Sequence, residues 1–456
     1  MNARPDFTKF EPFHYKSLAD LKKKIKELNL EIPISPELEI LQSRIQLYED
    51  YIPNRLAIQP MEGFDATENG SPTELTKRRY DRYAHSGVGL IWFEATAIIP
   101  EGRSNPHQLV LTEENLNKFK KLVSDTRLKC NSTLSEMGFK NDCILVLQLN
   151  HSGRYSQKDG KPFPIRAFKY PPLDQAKGVS KRQGKIISDE ELEDIEEIWY
   201  KKIILAKEAG FDGADIKTCH GYLLNDLLSA RTRVDSKYGG KSLKNRSRLL
   251  INLVKKSMDT LAKDSEFFIT TRTSIYNGIP FPYGFGIKEE EDESFPAPFN
   301  LNEPKKLITQ LYELGIRLVN VSAGDPHYSP HLTRPFDRPT KGSDIPREHP
   351  LLSLNRIYHL TKLIKSDLPE DLIILGSAYS YGRQYAGHIA AGMVLKDYVD
   401  MCGFGRMAFA NPEFAKQILQ QGGIDKKKTC ISCSKCSQLM REGKSTGCVI
   451  RDPQYR

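Results

Sequence analysis

Four of the eight cysteines are crowded near the C-terminus, in the order Cys430-x2-Cys433-x2-Cys436-x11-Cys448. Four thiolates at such intervals can ligate zinc or an iron–sulphur cube. Zinc knuckles tend to show two Cys-x2-Cys pairs, whereas three close cysteines and a distant fourth favour [4Fe–4S]; spacing alone leaves both open. Single cysteines make good buried hydrophobes, but four within nineteen positions of a polar segment are poorly explained that way. The other four, Cys130, Cys143, Cys219 and Cys402, sit singly in stretches that read as helix or strand. One metal site in a reducing compartment accounts for this distribution better than disulphides do.

A second set of reactive side chains recurs just after short apolar runs. Gln148 and His151 follow one run, Lys217, His220 and Tyr222 the next, and Arg272 ends another. Asp325 and His327, then Ser377, then Arg406, follow three more. The stretches Leu375-Gly376-Ser377 and Gly403-Phe404-Gly405-Arg406 place small residues directly after apolar ones. Glycines let backbone amides approach an anion and Arg406 can pair with phosphate oxygens; plain strand-to-helix turns would look similar.

These side chains need a frame that points them at one another. Eight apolar runs alternate with helical stretches: Arg55–Gln59, Gly89–Glu94, Ile144–Leu149, Gly213–Lys217, Phe267–Arg272, Arg317–Ser322, Leu372–Leu375 and Tyr398–Cys402. That alternation predicts an α/β fold of the TIM (β/α)8 type, whose active sites lie at the C-terminal ends of the strands. The expected division is an N-terminal extension over 1–50, the barrel over 51–425 and a four-cysteine segment over 426–456. The extension includes a lysine-rich helix, Ser17–Leu28. After the fifth strand a long loop, Tyr276 to Pro298, carries prolines, aromatics and the acidic run Glu289–Glu293. It reads equally as a lid or as an exposed insertion.

Composition narrows the classes further. The 456 residues can bury a large core, and 39% hydrophobic with 27% charged residues is ordinary for a globular protein. The formal charge of +9 is spread along the chain, which argues for solvated faces and against nucleic acid. No run of about 18 apolar residues encodes a membrane span. The start, MNARPDFTKFEPF, lacks the apolar stretch of a signal peptide, so a cytoplasmic location is expected.

Several motifs together resemble the old yellow enzyme family of FMN-dependent oxidoreductases. They are Asn54-Arg55 with Gln59-Pro60-Met61, Gln148-Leu149-x-His151-x-Gly153-Arg154, and Gly210 to Ile216 followed by Cys219-His220-Gly221-Tyr222-Leu223-Leu224. Tyr238-Gly239-Gly240, Asn245-Arg246 and Gly405-Arg406-x3-Ala410-Asn411-Pro412 continue the series, so the resemblance spans roughly residues 50–450. The terminal cysteines resemble those of the iron–sulphur subgroup, as in the barrel part of 2,4-dienoyl-CoA reductase. The resemblance implies an FMN-binding barrel with Pro60, Met61 and Glu62 beside the flavin ring. Gln148 would bond its pyrimidine edge, Arg272 would sit near N1 and C2=O, and Ser377, Gly405 and Arg406 would hold the phosphate. His220 would bond a substrate carbonyl oxygen and Tyr222 would donate a proton. The resemblance further implies a [4Fe–4S] cluster on Cys430, Cys433, Cys436 and Cys448, a small-molecule enone substrate, and electrons from NAD(P)H, ferredoxin or a partner flavoprotein.

The departures from the family pattern carry information. Lys217 stands where the family has the first histidine of its pair, and Glu62 where threonine, cysteine or alanine is commoner. A carboxylate beside flavin disfavours the reduced anion unless it is paired, so a Lys217–Glu62 contact is expected. Two residues, where the subgroup usually has three, precede Cys436. No Gly-x-Gly-x-x-Gly fingerprint follows a strand, and the chain stops eight residues after Cys448; a second, fused nucleotide domain is therefore not expected. An exposed, oxygen-sensitive cluster would suit an anaerobe. The expected reaction is ene reduction of an activated alkene, with Lys217 assisting His220. Two rivals are oxidation of a substrate with the cluster as electron exit, and a non-catalytic redox or scaffold subunit.

Overall fold

A computed structural model of the chain describes residues 10–176, 184–261, 267–290, 294 and 296–456. Eight parallel strands close into a barrel in chain order. They are β1 (Leu56–Ile58), β2 (Leu90–Ala97), β3 (Ile144–Asn150), β4 (Gly213–Ile216), β5 (Phe268–Ser274), β6 (Leu318–Ser322), β7 (Ile373–Gly376) and β8 (Met401–Phe404). Helices cover the outside of the sheet, so almost every strand residue is buried on both faces. This is why the strands read as continuous apolar runs rather than alternations. The TIM barrel expected from the sequence is the fold.

Two differences in strand extent have local causes. β2 runs on to Ala97 because its pairing with β3 shifts register between Phe93 and Thr96, a bulge that re-aims the strand end. The last strand begins at Met401 rather than Tyr398. Asp397 there adopts a φ of +57°, and the Asp400 carboxylate accepts the Ile374 N–H at 2.8 Å. The residues read as strand are therefore the turn that enters it.

The barrel interior is divided into two storeys. The N-terminal half is an apolar plug of Ala57, Leu90, Trp92, Val146, Phe268, Leu318, Ile373, Leu375 and Met401. A short hairpin, Ile45–Leu47 paired with Asp50–Ile52, closes it from below. The C-terminal half is polar and opens towards the strand ends. Outside, α1 (Leu18–Glu27), α2 (Glu74–Ala84), α3 (Leu116–Glu136) and α4 (Asp189–Glu208) are followed by α5 (Arg248–Leu261), α6 (Asn302–Glu313), α7 (Pro350–Lys365) and α8 (Ala386–Leu395). Reciprocal caps start three of them: Ser17 with Asp20, Thr73 with Thr76 and Ser188 with Glu191. Each satisfies backbone N–H groups that the first helical turn leaves bare. The helix of the N-terminal extension buries Leu21 and Ile25 in the same apolar core as the barrel helices.

The fifth loop is stitched down at its near end. Arg231 pairs with Glu289 and Glu303, and the Tyr276 hydroxyl donates to the Ala297 carbonyl at 2.6 Å. The rest of the acidic run, Glu291 to Glu293, lies outside the described residues. Among the described residues no helix is long and apolar enough to cross a membrane.

Candidate active site

A cavity of about 440 Å³ opens at the C-terminal mouth of the barrel, within the size range of small-molecule and cofactor sites. Eleven of the side chains and turn residues singled out from the sequence line it: Pro60, Met61, Glu62, Lys217, His220, Tyr222, Arg272, His327, Ser377, Gly405 and Arg406. Gln148 does not. It lies fully buried one layer deeper, where its Nε2 donates to Asp215 Oδ2 at 2.6 Å while Oε1 has no protein partner.

Asp215 is the hub of that deeper layer. Besides Gln148 it accepts Trp92 Nε1 at 2.8 Å and the Arg272 backbone N–H at 2.7 Å. Burial nevertheless pushes its carboxyl up to about 6. Arg272 stands above it with its guanidinium Nε unpartnered, and burial lowers its affinity for a proton. An unpaired buried guanidinium aimed into a cavity is costly until an acceptor arrives.

Also at the cavity, the expected contact between Lys217 and Glu62 is present. Lys217 Nζ lies 3.3 Å from Glu62 Oε1. The Tyr222 hydroxyl donates to the same oxygen at 2.9 Å, and Lys217 Nζ sits 3.8 Å from the centre of the Tyr222 ring. Burial first, and the Glu62 charge second, hold the phenol protonated well above its ordinary range. His220 follows β4 on a left-handed backbone (φ +65°) and is succeeded by Gly221 at +72°. That turn swings the imidazole inward, where Nε2 meets Ser322 Oγ at 2.9 Å. Burial and the cations Arg272 and Lys217 keep it neutral, well below the ordinary histidine range.

The loop carrying Glu62 is anchored on both sides of the next residue. The Gly63 N–H donates to Glu94 Oε2 at 2.6 Å, and the Gly63 carbonyl accepts the Thr446 N–H at 2.6 Å. Beneath it Arg79 bridges Asp65 and Glu94, all three side chains being buried.

The third wall is cationic. Arg334, Arg406 and Arg441 all line the cavity beside Ser377, Ser380 and Gly405, and none has a carboxylate partner among the described residues. Arg406 Nη2 donates to the Pro335 carbonyl at 2.7 Å, leaving Nη1 unpartnered; Arg334 Nη1 is unpartnered too. Burial, then the neighbouring Arg406 charge, pushes Arg334 down to about 10. A Cβ at Gly405 would approach Met61 Sδ to 2.8 Å, so the small residue keeps this wall open.

The four terminal cysteines converge on one small void of about 20 Å³ next to Arg406, little more than the space of one water. Ser432 and Ser434 between them take left-handed backbones, φ +53° and +57°. All eight cysteines are free thiols. Among the described residues no group of three or more His, Cys, Asp or Glu side chains is arranged to hold a metal ion. As arranged, the void does not have the room of an iron–sulphur cube. Cys436 opens a short helix, Lys435–Arg441, whose residues Ser437, Met440 and Arg441 reach the main cavity.

A closed barrel with this polar, cation-walled mouth puts the chain in the (β/α)8 class. Residues 43–282 match the model of the NADH:flavin oxidoreductase / NADH oxidase family. The chain belongs to that family and is an oxidoreductase. It is 25% identical over 386 residues to an NADH oxidase of Thermoanaerobacter brockii, covering 84% of this chain and 51% of the relative. It therefore spans about half the length of that protein. An NADPH dehydrogenase of Geobacillus sp. (strain WCH70) is 28% identical over 276 residues, covering 60% of this chain and 69% of the relative. Among solved structures the fold resembles a 2-naphthoyl-CoA reductase, with a TM-score of 0.69, 19% identity, and coverage of 92% of this chain and 58% of that one. It also resembles morphinone reductase, with a TM-score of 0.60, 19% identity, and coverage of 85% and 91%.

FMN, the cofactor that the family brings, fits the residues present. The unpartnered Arg272 Nε suits a polar ring edge, and the bare guanidinium nitrogens of Arg406 and Arg334 suit a phosphate. Arg334, Arg441, Asp215 and the Asp65–Arg79–Glu94 cluster were not singled out from the sequence. Arg334 and Arg441 lie in irregular or terminal segments that no periodicity places at the barrel mouth. Asp215, an acid inside the apolar run Gly213–Ile216, is the one that sequence alone could have flagged.

Proposed function

We propose that the protein is an FMN-dependent ene reductase acting on an α,β-unsaturated carbonyl or a similarly activated alkene. The observation that carries this reading is the convergence of a neutral His220 and a protonated Tyr222 on one cavity that Arg272 and the cationic wall also line. Pro60 and Met61 would line the flavin ring, with Arg272 on its polar edge and Gln148, whose Oε1 has no protein partner, in the layer behind it. Ser377, Gly405 and Arg406 would hold its phosphate, with Arg334 beside them. When bound, FMN supplies the hydride chemistry. His220 hydrogen-bonds the carbonyl oxygen on which charge develops, aided by the nearby Lys217 ammonium. Tyr222 gives its hydroxyl proton to the α-carbon. The aromatic pair Tyr155 and His327, stacked with ring centres 3.6 Å apart, forms the remaining face against which a planar substrate would lie.

We further propose that residues 426–456 hold a [4Fe–4S] cluster on Cys430, Cys433, Cys436 and Cys448. Their spacing and their convergence on one void support it, and the thiols would have to spread to admit the cube. The division into 1–50, 51–425 and 426–456, a cytoplasmic setting, and an NAD(P)H, ferredoxin or flavoprotein donor belong to the same reading. The test is an anaerobic absorption spectrum with iron and sulphide analysis, followed by photoreduction and mixing with cyclohex-2-enone. Flavin bands, about four irons per chain and re-oxidation by the enone are expected. Tyr222→Phe should slow that re-oxidation about 100-fold or more while binding persists. Unchanged re-oxidation would remove Tyr222 as the acid, and absence of flavin after reconstitution would overturn the whole reading.

A further inference from the structure

The Glu62 carboxylate has no task in the mechanism above, yet two proton-bearing groups aim at one of its oxygens. Tyr222 donates to Oε1 at 2.9 Å and Lys217 approaches it at 3.3 Å. Glu62, Lys217 and Tyr222 are 8%, 4% and 4% exposed, so protons do not exchange freely with bulk water at this wall. Glu62 is not a loose side chain, because Gly63 is tied through both its N–H and its carbonyl.

We propose that Glu62 and Lys217 form a proton relay behind Tyr222, with the Lys217 ammonium as source and Glu62 Oε1 as transfer point. The inference rests on the reading of Tyr222 as the acid. Once Tyr222 has given its proton, a phenolate would face the Glu62 carboxylate at hydrogen-bond distance, two like charges in a buried place. The relay removes that conflict. The hydride brings the electron pair to the β-carbon, and the Tyr222 O–H bond breaks as the α-carbon–hydrogen bond forms. Lys217 Nζ then passes a proton to Glu62 Oε1, and Glu62 hands it on to the phenolate oxygen. What remains is a phenol, a carboxylate and a neutral amine, and water returns the last proton to the amine. In total one hydride and one proton enter the alkene. The position after β4 thus needs a side chain that can lose a proton, which lysine does more readily when buried than arginine.

The test reads the phenol itself as well as turnover. The other groups facing Tyr222 are Tyr155 and His327, with ring centres 6.1 and 6.4 Å away, together with Ser104 and Cys219. Glu62→Gln keeps the shape and an acceptor oxygen but removes the charge, leaving Lys217 alone over the ring. In a holoenzyme titration followed at 295 nm, E62Q should show one phenolate at least one pH unit earlier than wild type. That phenolate should vanish in the E62Q/Y222F double variant. Re-oxidation of reduced E62Q by cyclohex-2-enone should be at least 10-fold slower, with Glu62→Asp restoring most of the rate. An unmoved phenolate would overturn the relay, and so would a moved phenolate with an unchanged rate. If wild type ignores the enone, the ene-reductase reading falls, and the relay that rests on it falls too; an early phenolate in E62Q would then report only the charge contact.

Discussion

Replacing Arg334 by methionine sets two effects of opposite sign against each other. In the protein without cofactor, Arg334 is a cation held beside the Arg406 cation with no carboxylate to balance either. Its fall from the ordinary arginine value to about 10 corresponds to about 3 kcal/mol at 1.36 kcal/mol per pH unit. Because the folded-state value is the lower one, that cost is fully present below pH 10 and lifts only as pH rises from there towards the ordinary arginine value. Water in the open cavity screens part of it, which leaves about 1–3 kcal/mol of destabilisation at neutral pH. Methionine fills similar space without charge, so the apoprotein should gain about that much stability. FMN binding should move the other way. Losing one charge-assisted contact to a phosphate costs about 2–3 kcal/mol, or roughly 30- to 150-fold in Kd. Chemical denaturation of the apoprotein and quenching of FMN fluorescence measure the two effects separately. A less stable apoprotein with unchanged FMN affinity would refute the argument, because it would make Arg334 a packing residue rather than an unmatched charge.

Two further outcomes follow from buried acids. The Asp215 carboxyl, pushed up to about 6, binds its proton more tightly folded than unfolded. Its contribution is thus fully present below about pH 4 and is lost as pH rises to about 6, about 3 kcal/mol in all. The difference between the denaturation free energies of wild type and Asp215→Asn should change by that amount between pH 4 and 6 and then level off; parallel curves would contradict it. Gly63→Ala would bring a Cβ to 2.1 Å from Arg79 Nη1. Arg79 is pinned between Asp65 and Glu94 and cannot swing away, so the unfolding free energy should fall by about 3–5 kcal/mol. A loss below about 1 kcal/mol would mean that the loop, rather than the ion cluster, gives way.

The alternation of apolar runs and helical stretches made the barrel legible, since strands buried on both faces leave a strong mark. Polar residues directly after those runs were legible for the same reason, and Lys217, His220, Tyr222 and Arg272 all reach the cavity. The contact between Lys217 and Glu62 was foreseen from charge balance once the family resemblance had set Glu62 beside the flavin, across more than 150 intervening positions. Gln148 shows the limit of such reasoning. Its strand was right, but the pull of Asp215 on its amide nitrogen depends on a neighbouring strand, and register across a barrel is not written in either strand by itself. Arg334 and Arg441 were illegible because irregular chain has no period, and only the closed fold brings them beside Arg406.

Gly63 has one more consequence. Its carbonyl is held by Thr446, Ser445 Oγ meets the next carbonyl, that of Phe64, at 3.4 Å, and Asp452 grips Arg78 of α2 through both carboxylate oxygens. The last dozen residues are thus basted to the loop that presents Glu62. Peeling them from the barrel releases both carbonyls at once, so tail and loop open as a single cooperative unit in amide hydrogen exchange. A nick or frayed end near the terminal cysteines is therefore felt at the loop presenting Glu62, although that loop lies in sequence almost four hundred residues away.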